Sequence, residues 1–145
     1  MGRIVVGVDG SDTGLVALRW ALDEAALRHW PVVAVHAYET PLLGIERDST
    51  RSPVLDLAPS AYDLTEEQVR RARAAGRGRA VPVEIVVAEG HAAGVLADVA
   101  LDDDLLVVGS RGRGGLAELV LGSTSHRVAA HAGCPVVVVR PEAAG

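Results

Sequence analysis

The sequence predicts an α/β fold: one doubly wound, five-stranded parallel sheet in the order 3-2-1-4-5, with helices on both faces. Three observations carry this expectation. Short apolar runs alternate with helix-length stretches along the whole chain. Every connection between those runs is long enough to hold a helix, as a parallel, right-handed crossover requires. The runs Ile4–Val8, Leu105–Val108 and Val136–Val139 are nearly continuous in apolar residues, the pattern of strands covered on both faces.

Each element follows in order. Ile4 to Val8 is the first strand, and Ser11 or Asp12 caps the helix after it. That helix carries Leu15, Leu18, Leu22 and Ala25 at helical spacing and stops before Pro31. Pro31 to Tyr38 is the second strand. Residues 39–59 hold four prolines or glycines and mixed charge; a connection of this length serves as a lid or as the wall of a site. Ser60-Ala61-Tyr62-Asp63 and Thr65-Glu66-Glu67-Gln68 both have capping-box spacing. A basic helix through Arg70-Arg71-Ala72-Arg73 then runs to Gly76 or Gly78. Val83 to Ala88 is the third strand, Ala92 to about Leu101 the third helix, and Leu105 to Val108 the fourth strand. Ser123 to about His131 is the fourth helix, ended by Gly133, and Val136 to Val139 is the last strand.

Composition bounds the function. The 145 residues suit one domain, 1–145, and 49% hydrophobic with 23% charged residues is ordinary globular chemistry. No apolar run approaches the roughly 20 residues of a membrane helix, and the chain opens directly into a strand, so a cytoplasmic protein without a membrane partner is expected. A net charge of −5 argues against nucleic-acid binding. The chain has no lysine, which removes a Walker-type phosphate lysine and Schiff-base chemistry. Cys134 is the only cysteine; it excludes an internal disulfide and reads as a small buried hydrophobe.

Chemistry concentrates in two loops. After the fourth strand come Gly109-Ser110-Arg111-Gly112, nine further residues, then Gly122-Ser123 at a helix start. A strand, a glycine-rich loop and a helix N-terminus bearing Ser123, Thr124 and Ser125 cradle phosphate with N–H groups, hydroxyls and the positive end of the helix dipole. After the first strand comes Asp9-Gly10-Ser11-Asp12-Thr13. In the order 3-2-1-4-5 the first and fourth strands flank the topological switch point, so both loops share one crevice. Asp9 at the strand tip can accept from a ribose hydroxyl or help hold Mg²⁺, whereas Asp12 is assigned to the cap. Without lysine, phosphate charge falls to backbone N–H groups, Mg²⁺, or Arg111 and Arg113.

These residues resemble the universal stress protein family, specifically its ATP-binding branch. Ile4-Val5-Val6-Gly7-Val8-Asp9-Gly10-Ser11 is similar to that family's first strand and loop. Gly109, Gly112, Gly122 and Ser123 meet its pattern G-x2-G-x9-G-(S/T) in full, and His131 to Val139 looks like its closing helix and strand. The resemblance covers the whole chain, most weakly residues 40–80, and implies a Rossmann-like fold of the adenine-nucleotide hydrolase type. It implies Asp9 near ribose and phosphates, Ala37 offering backbone groups to adenine, and Gly109 at the ribose. Gly112, Gly122, Ser123, Thr124 and Ser125 would hold phosphates. It further implies a homodimer paired through Val136 to Arg140. Gly90-His91-Ala92 stands where the family often has Gly-x-Pro.

Other patterns are set aside. Gly112-Arg113-Gly114-Gly115-Leu116-Ala117 fits a dinucleotide fingerprint, but it follows a late strand and Arg140 ends the next one. His29, His36, His91, His126 and His131 lack metal-ligand spacing, although His36 can shape the adenine pocket wall. The arginines at 70, 71, 73, 77 and 79 read as a solvated helix face, and Trp20 and Trp30 as packing residues. The expected function is a cytoplasmic, ATP-binding stress-response regulator holding ATP and Mg²⁺. It has no evident catalytic residue and is at most a weak ATPase. The alternatives are a dimerising adaptor without nucleotide and, less favoured, an adenylyl-transferring enzyme.

Overall fold

The computed structural model describes residues 1–40, 57–110 and 122–141. Strands β1 (Ile4–Gly7), β2 (Val32–Tyr38), β3 (Val83–Glu89), β4 (Leu105–Gly109) and β5 (Val136–Val139) form one sheet in the order β3-β2-β1-β4-β5. Every neighbouring pair is parallel, as the long crossovers require. Helices α1 (Asp12–Arg28), α2 (Ala58–Arg73), α3 (Ala92–Val99) and α4 (Ser123–His131) connect the strands, with a 3-10 turn at Gly78–Ala80. Residues 41–56, within the irregular stretch 39–59, lie outside the described residues.

Strand alternation sorts the core into two layers. Ile4, Val6, Val32, Ala34, Leu105 and Val107 pack against Leu15, Leu18 and Leu22 of α1 and Val69 of α2. Val5, Val33, Val35, Leu106 and Val108 pack on the other face against Leu96 of α3 and Val128 of α4. β1 up to Val6, and β4 up to Val108, are buried on both faces, as their sequences require. β5 departs from that expectation. All four of its valines are only half-buried, because it is an edge strand with β4 on one side only.

Helix ends also depart in detail. Ser11, not Asp12, is the N-cap of α1, its side chain accepting from the Gly14 N–H; Asp12 occupies the first turn. α1 closes at His29, which takes a left-handed conformation at φ 58° before Pro31. α2 begins at Ala58 with Pro59 in its first turn and no side-chain cap, so Ser60 and Thr65 lie inside the helix. The capping boxes expected there do not form, since proline already supplies a preset helix start and Thr65 is fully buried.

The N-terminal end of the sheet carries an ion pair that composition and motif analysis missed. Arg3 donates from Nη2 to Asp104 Oδ2 at 2.6 Å and from its backbone N–H to Oδ1 at 3.0 Å. The Leu101 N–H adds 2.8 Å to Oδ2, and Arg3 Nη2 also reaches the Val99 carbonyl at 3.0 Å. Burial alone would raise the Asp104 carboxyl, but the hydrogen bonds from Arg3 and Leu101 outweigh it and hold the group below the usual carboxylate range. No helix among the described residues is long and apolar enough to cross a membrane.

Candidate functional site

The site is assembled at the C-terminal ends of the central strands. β1 pairs with β2 up to Gly7 opposite Val35, and one further bond, Val8 N–H to Val35 O at 2.8 Å, ends the ladder. The chain then turns through Gly10, whose φ of 82° suits glycine. Asp9 organises this turn: its Oδ1 accepts from the Ser11 N–H at 2.9 Å and from the Ser11 hydroxyl. With its hydroxyl donating to Asp9, the Ser11 oxygen accepts from Gly14 N–H at 3.0 Å, which caps α1. Oδ2 of Asp9 accepts nothing from the described residues, so one carboxylate oxygen holds the loop and the other is open to a ligand or cation.

β2 continues where β1 has stopped. Its ladder to β3 runs to Tyr38 opposite Glu89, three residues beyond the last β1 register pair. In a parallel strand the N–H and C=O of one residue point to the same neighbour, and alternate residues face alternate neighbours. The Val35 carbonyl faces β1, while the Tyr38 carbonyl accepts from Gly90 N–H on the β3 side at 2.8 Å. Ala37 therefore turns both its N–H and its C=O toward the β1 side, above the point where β1 has turned away. Among the described residues this donor–acceptor pair meets no partner.

β4 completes the wall. A Cβ on Gly109 would fall 2.7 Å from Thr13 Cγ2, so glycine there lets the end of β4 lie against the first turn of α1. The buried Ser110 donates its N–H to the Val139 carbonyl at 2.8 Å, and its own carbonyl accepts from Gly122 N–H at 2.6 Å. Ser110 and Gly122, the residues flanking 111–121, are thus held together. α4 starts with Gly122 as N-cap, which has no side chain to satisfy the first-turn N–H groups. Ser123 is exposed and Thr124 half-buried at this terminus. Ser125 is buried, and its hydroxyl donates to the Gly122 carbonyl at 3.0 Å and lies 3.3 Å from that of Ser110. Its hydroxyl fastens the two loop ends, leaving its N–H to the helix terminus.

The chain matches the universal stress protein family over residues 1–140. It belongs to that family. Universal stress protein Rv2624c of Mycobacterium tuberculosis (strain ATCC 25618 / H37Rv) is 35% identical over 140 residues, covering 97% of this chain and 48% of the relative. Universal stress protein Rv2623 of the same strain is 37% identical over 140 residues, covering 94% and 44%. The chain therefore spans about half the length of these curated relatives. Among solved structures, a universal stress protein in complex with cAMP aligns with a TM-score of 0.71 at 30% identity, covering 97% of this chain and 98% of the other.

Within this stress-protein fold, Asp9, Ala37, Gly109, Gly122, Ser123, Thr124 and Ser125 all lie at the C-terminal strand ends or on α4's first turn. Arg111 and Gly112 fall in 111–121, outside the described residues. Among the described residues no group of three His, Cys, Asp or Glu could hold a metal ion, so Asp9 can offer only one carboxylate to a cation. Cys134 packs half-buried on the α3/α4 side of the core; burial, with Asp104 and Asp102 nearby, pushes its thiol up. Sequence reasoning missed Thr13, whose contact with Gly109 was foreseeable once strands one and four were placed side by side. It also missed Thr65, which hydrogen-bonds His36 at 3.1 Å and is invisible to periodicity because a buried threonine reads as polar.

Proposed function

We propose that this protein holds an adenine nucleotide, ATP with Mg²⁺ foremost, between the loops after β1 and β4, and hydrolyses it slowly or not at all. The observation that carries this is the N-terminus of α4, which has no side-chain cap and is held by Gly122 N–H against the Ser110 carbonyl at the end of β4. Such a terminus is an anion site built from backbone alone. The relative in complex with cAMP, 30% identical across nearly the whole chain, supports a purine nucleotide as the occupant.

The residues present fit this ligand. Adenine offers a donor and an acceptor side by side, which matches the C=O and N–H that Ala37 leaves open. Asp9 Oδ2 accepts from a ribose hydroxyl or holds the cation, and Gly109 borders the ribose. Gly112, Ser123, Thr124 and Ser125 supply N–H groups to the phosphates, and Ser123 and Thr124 add hydroxyls; Gly122, whose own N–H is held by Ser110, gives the phosphates room, with Arg111 as a cation from the loop. When bound, Mg²⁺ neutralises phosphate charge that no lysine is present to meet. Asp9 Oδ2, assigned to the ribose or the cation, is then not available as a general base for water. Holding, not cleaving, is the chemistry these groups support.

The same reading takes residues 1–145 as one nucleotide-binding unit acting in the cytoplasm, where the bound nucleotide sets a signalling state for a partner. The half-buried valines of β5 support a homodimer through Val136 to Arg140, since an apolar edge strand is stable in water only when covered. Calorimetry of nucleotide-free protein with ATP–Mg²⁺ and with cAMP tests the ligand. Saturable heat with ATP is the expected result, and silence with both sinks the reading. Sedimentation of the same protein with and without ATP separates a nucleotide-bound dimer from an adaptor that pairs regardless.

A further inference from the structure

We infer that Thr65 and His36 are positioning residues for base selectivity: together they fix the open edge of β2 at Ala37 that reads adenine. The inference rests on the nucleotide reading above and goes beyond it by assigning selectivity to a contact made behind the site.

Thr65 is fully buried on a helix face otherwise made of Ala61, Gln68, Val69 and Ala72. Its hydroxyl donates to the Ala61 carbonyl one turn back at 2.8 Å. A hydroxyl has one proton, so toward His36 Nδ1, 3.1 Å away, the oxygen can only accept. His36 therefore carries a proton on Nδ1, and the Ala61–Thr65–His36 chain has one consistent direction. A valine would fill the same space, so the hydroxyl adds direction to the packing. With the bond made, α2 sits at one height on β2.

His36 is also the residue whose peptide bond leads into Ala37. The carbonyl half of that peptide belongs to the β3 side of the ladder, and the N–H half is the donor Ala37 turns to the crevice. Locking the His36 side chain from behind restrains the plane of this peptide, at a point where β1 no longer does so. Adenine presents a ring acceptor beside an amino donor, whereas guanine presents a ring N–H beside a carbonyl. A rigid N–H and C=O pair accepts the first pattern and opposes the second. A peptide free to rock tolerates both.

The test compares wild type, Thr65→Val, Thr65→Ser and Val69→Ala by calorimetry with ATP and GTP, each with Mg²⁺, alongside thermal melts. Wild type is expected to favour ATP. Thr65→Val should weaken ATP binding about tenfold, the loss of one buried hydrogen bond's worth of order, and narrow the ATP-over-GTP preference. Thr65→Ser restores the hydroxyl and should restore both. Val69→Ala, on the same buried face, lowers the melting temperature and should leave the preference unchanged. If Thr65→Val keeps wild-type affinity and preference, or if Val69→Ala narrows the preference equally, the contact is structural only and the inference falls while nucleotide binding stands. Equal wild-type binding of ATP and GTP overturns it as well. Wild type binding neither nucleotide overturns the inference together with the reading beneath it.

Discussion

At the N-terminal end of the sheet, Arg3 and Asp104 stand in register just before β1 and β4, and Asp104 collects four hydrogen bonds from Arg3 and Leu101. At the C-terminal end the same two strands lead to Asp9, one of whose oxygens meets no partner among the described residues, and to Gly109, beside the start of α4 that has no side-chain cap. Among the described residues, one end satisfies its polar groups internally, whereas at the other Asp9 Oδ2 and the Ala37 edge meet no partner. The difference teaches where stability and function are separated. Strands clamped at their base can carry open N–H and C=O groups at their tips, because the crossover helices and the clamp already fix their positions.

The comparison breaks most directly at Gly122. Gly122→Val places a branched side chain where phosphate is proposed, and should weaken ATP binding at least about 100-fold, or about 2.7 kcal/mol, with an unchanged circular dichroism spectrum. Normal ATP affinity in this variant would show that the open end does not hold phosphate at α4. Asp104→Ala at the closed end should do the reverse. Removing the buried carboxylate takes four hydrogen bonds from Arg3 and Leu101, and is expected to lower unfolding stability by about 2 kcal/mol in urea melts, with ATP affinity within about twofold of wild type.

Asp9→Asn probes the residue that serves both purposes. The amide oxygen keeps the Ser11 N–H bond but the charge is gone, so ATP–Mg²⁺ affinity should fall about tenfold, or about 1.4 kcal/mol, while stability falls less. A large stability loss with intact affinity would reassign Asp9 to the loop alone. For pH, the carboxyl of Asp104 is depressed in the folded state, so its contribution is present above the unfolded value near 4 and lost as pH falls through the lower folded value. Stability measured from pH 6 to pH 3 should drop more steeply in wild type than in Asp104→Asn. The smallest effect belongs to the exposed pair Arg28–Glu24, 2.8 Å apart on α1. Glu24→Gln should change stability by no more than about 0.5 kcal/mol, a change that added salt would erase.

Most of the architecture was legible because it follows from pattern. Continuous apolar runs separated by helical spacing leave little besides a parallel sheet, and glycine and serine types at the fourth strand's exit located the α4 terminus to the residue. What stayed hidden depends on the approach of distant parts. Arg3 and Asp104 are 101 positions apart, and nothing local marks either as a partner of the other. Their pairing emerges only once Ile4 lies opposite Leu105. Thr65 was read as a capping residue because hydroxyl spacing is a local signal. Its burial against β2 is a tertiary outcome that proline at the helix start made possible.

By itself, then, the sequence determined the five strands, their parallel crossovers and the loop chemistry after the first and fourth of them, since periodicity, turn residues and crossover length are properties of neighbouring positions. Only the tertiary structure decided that Ser11 caps α1, that Asp9 divides its two oxygens, that β5 is a half-covered edge, and that His36 is held from behind by Thr65. Each of those facts is a matter of which groups meet across elements. Hydrogen-bond direction and burial are settled by that meeting, and residue type alone does not specify it.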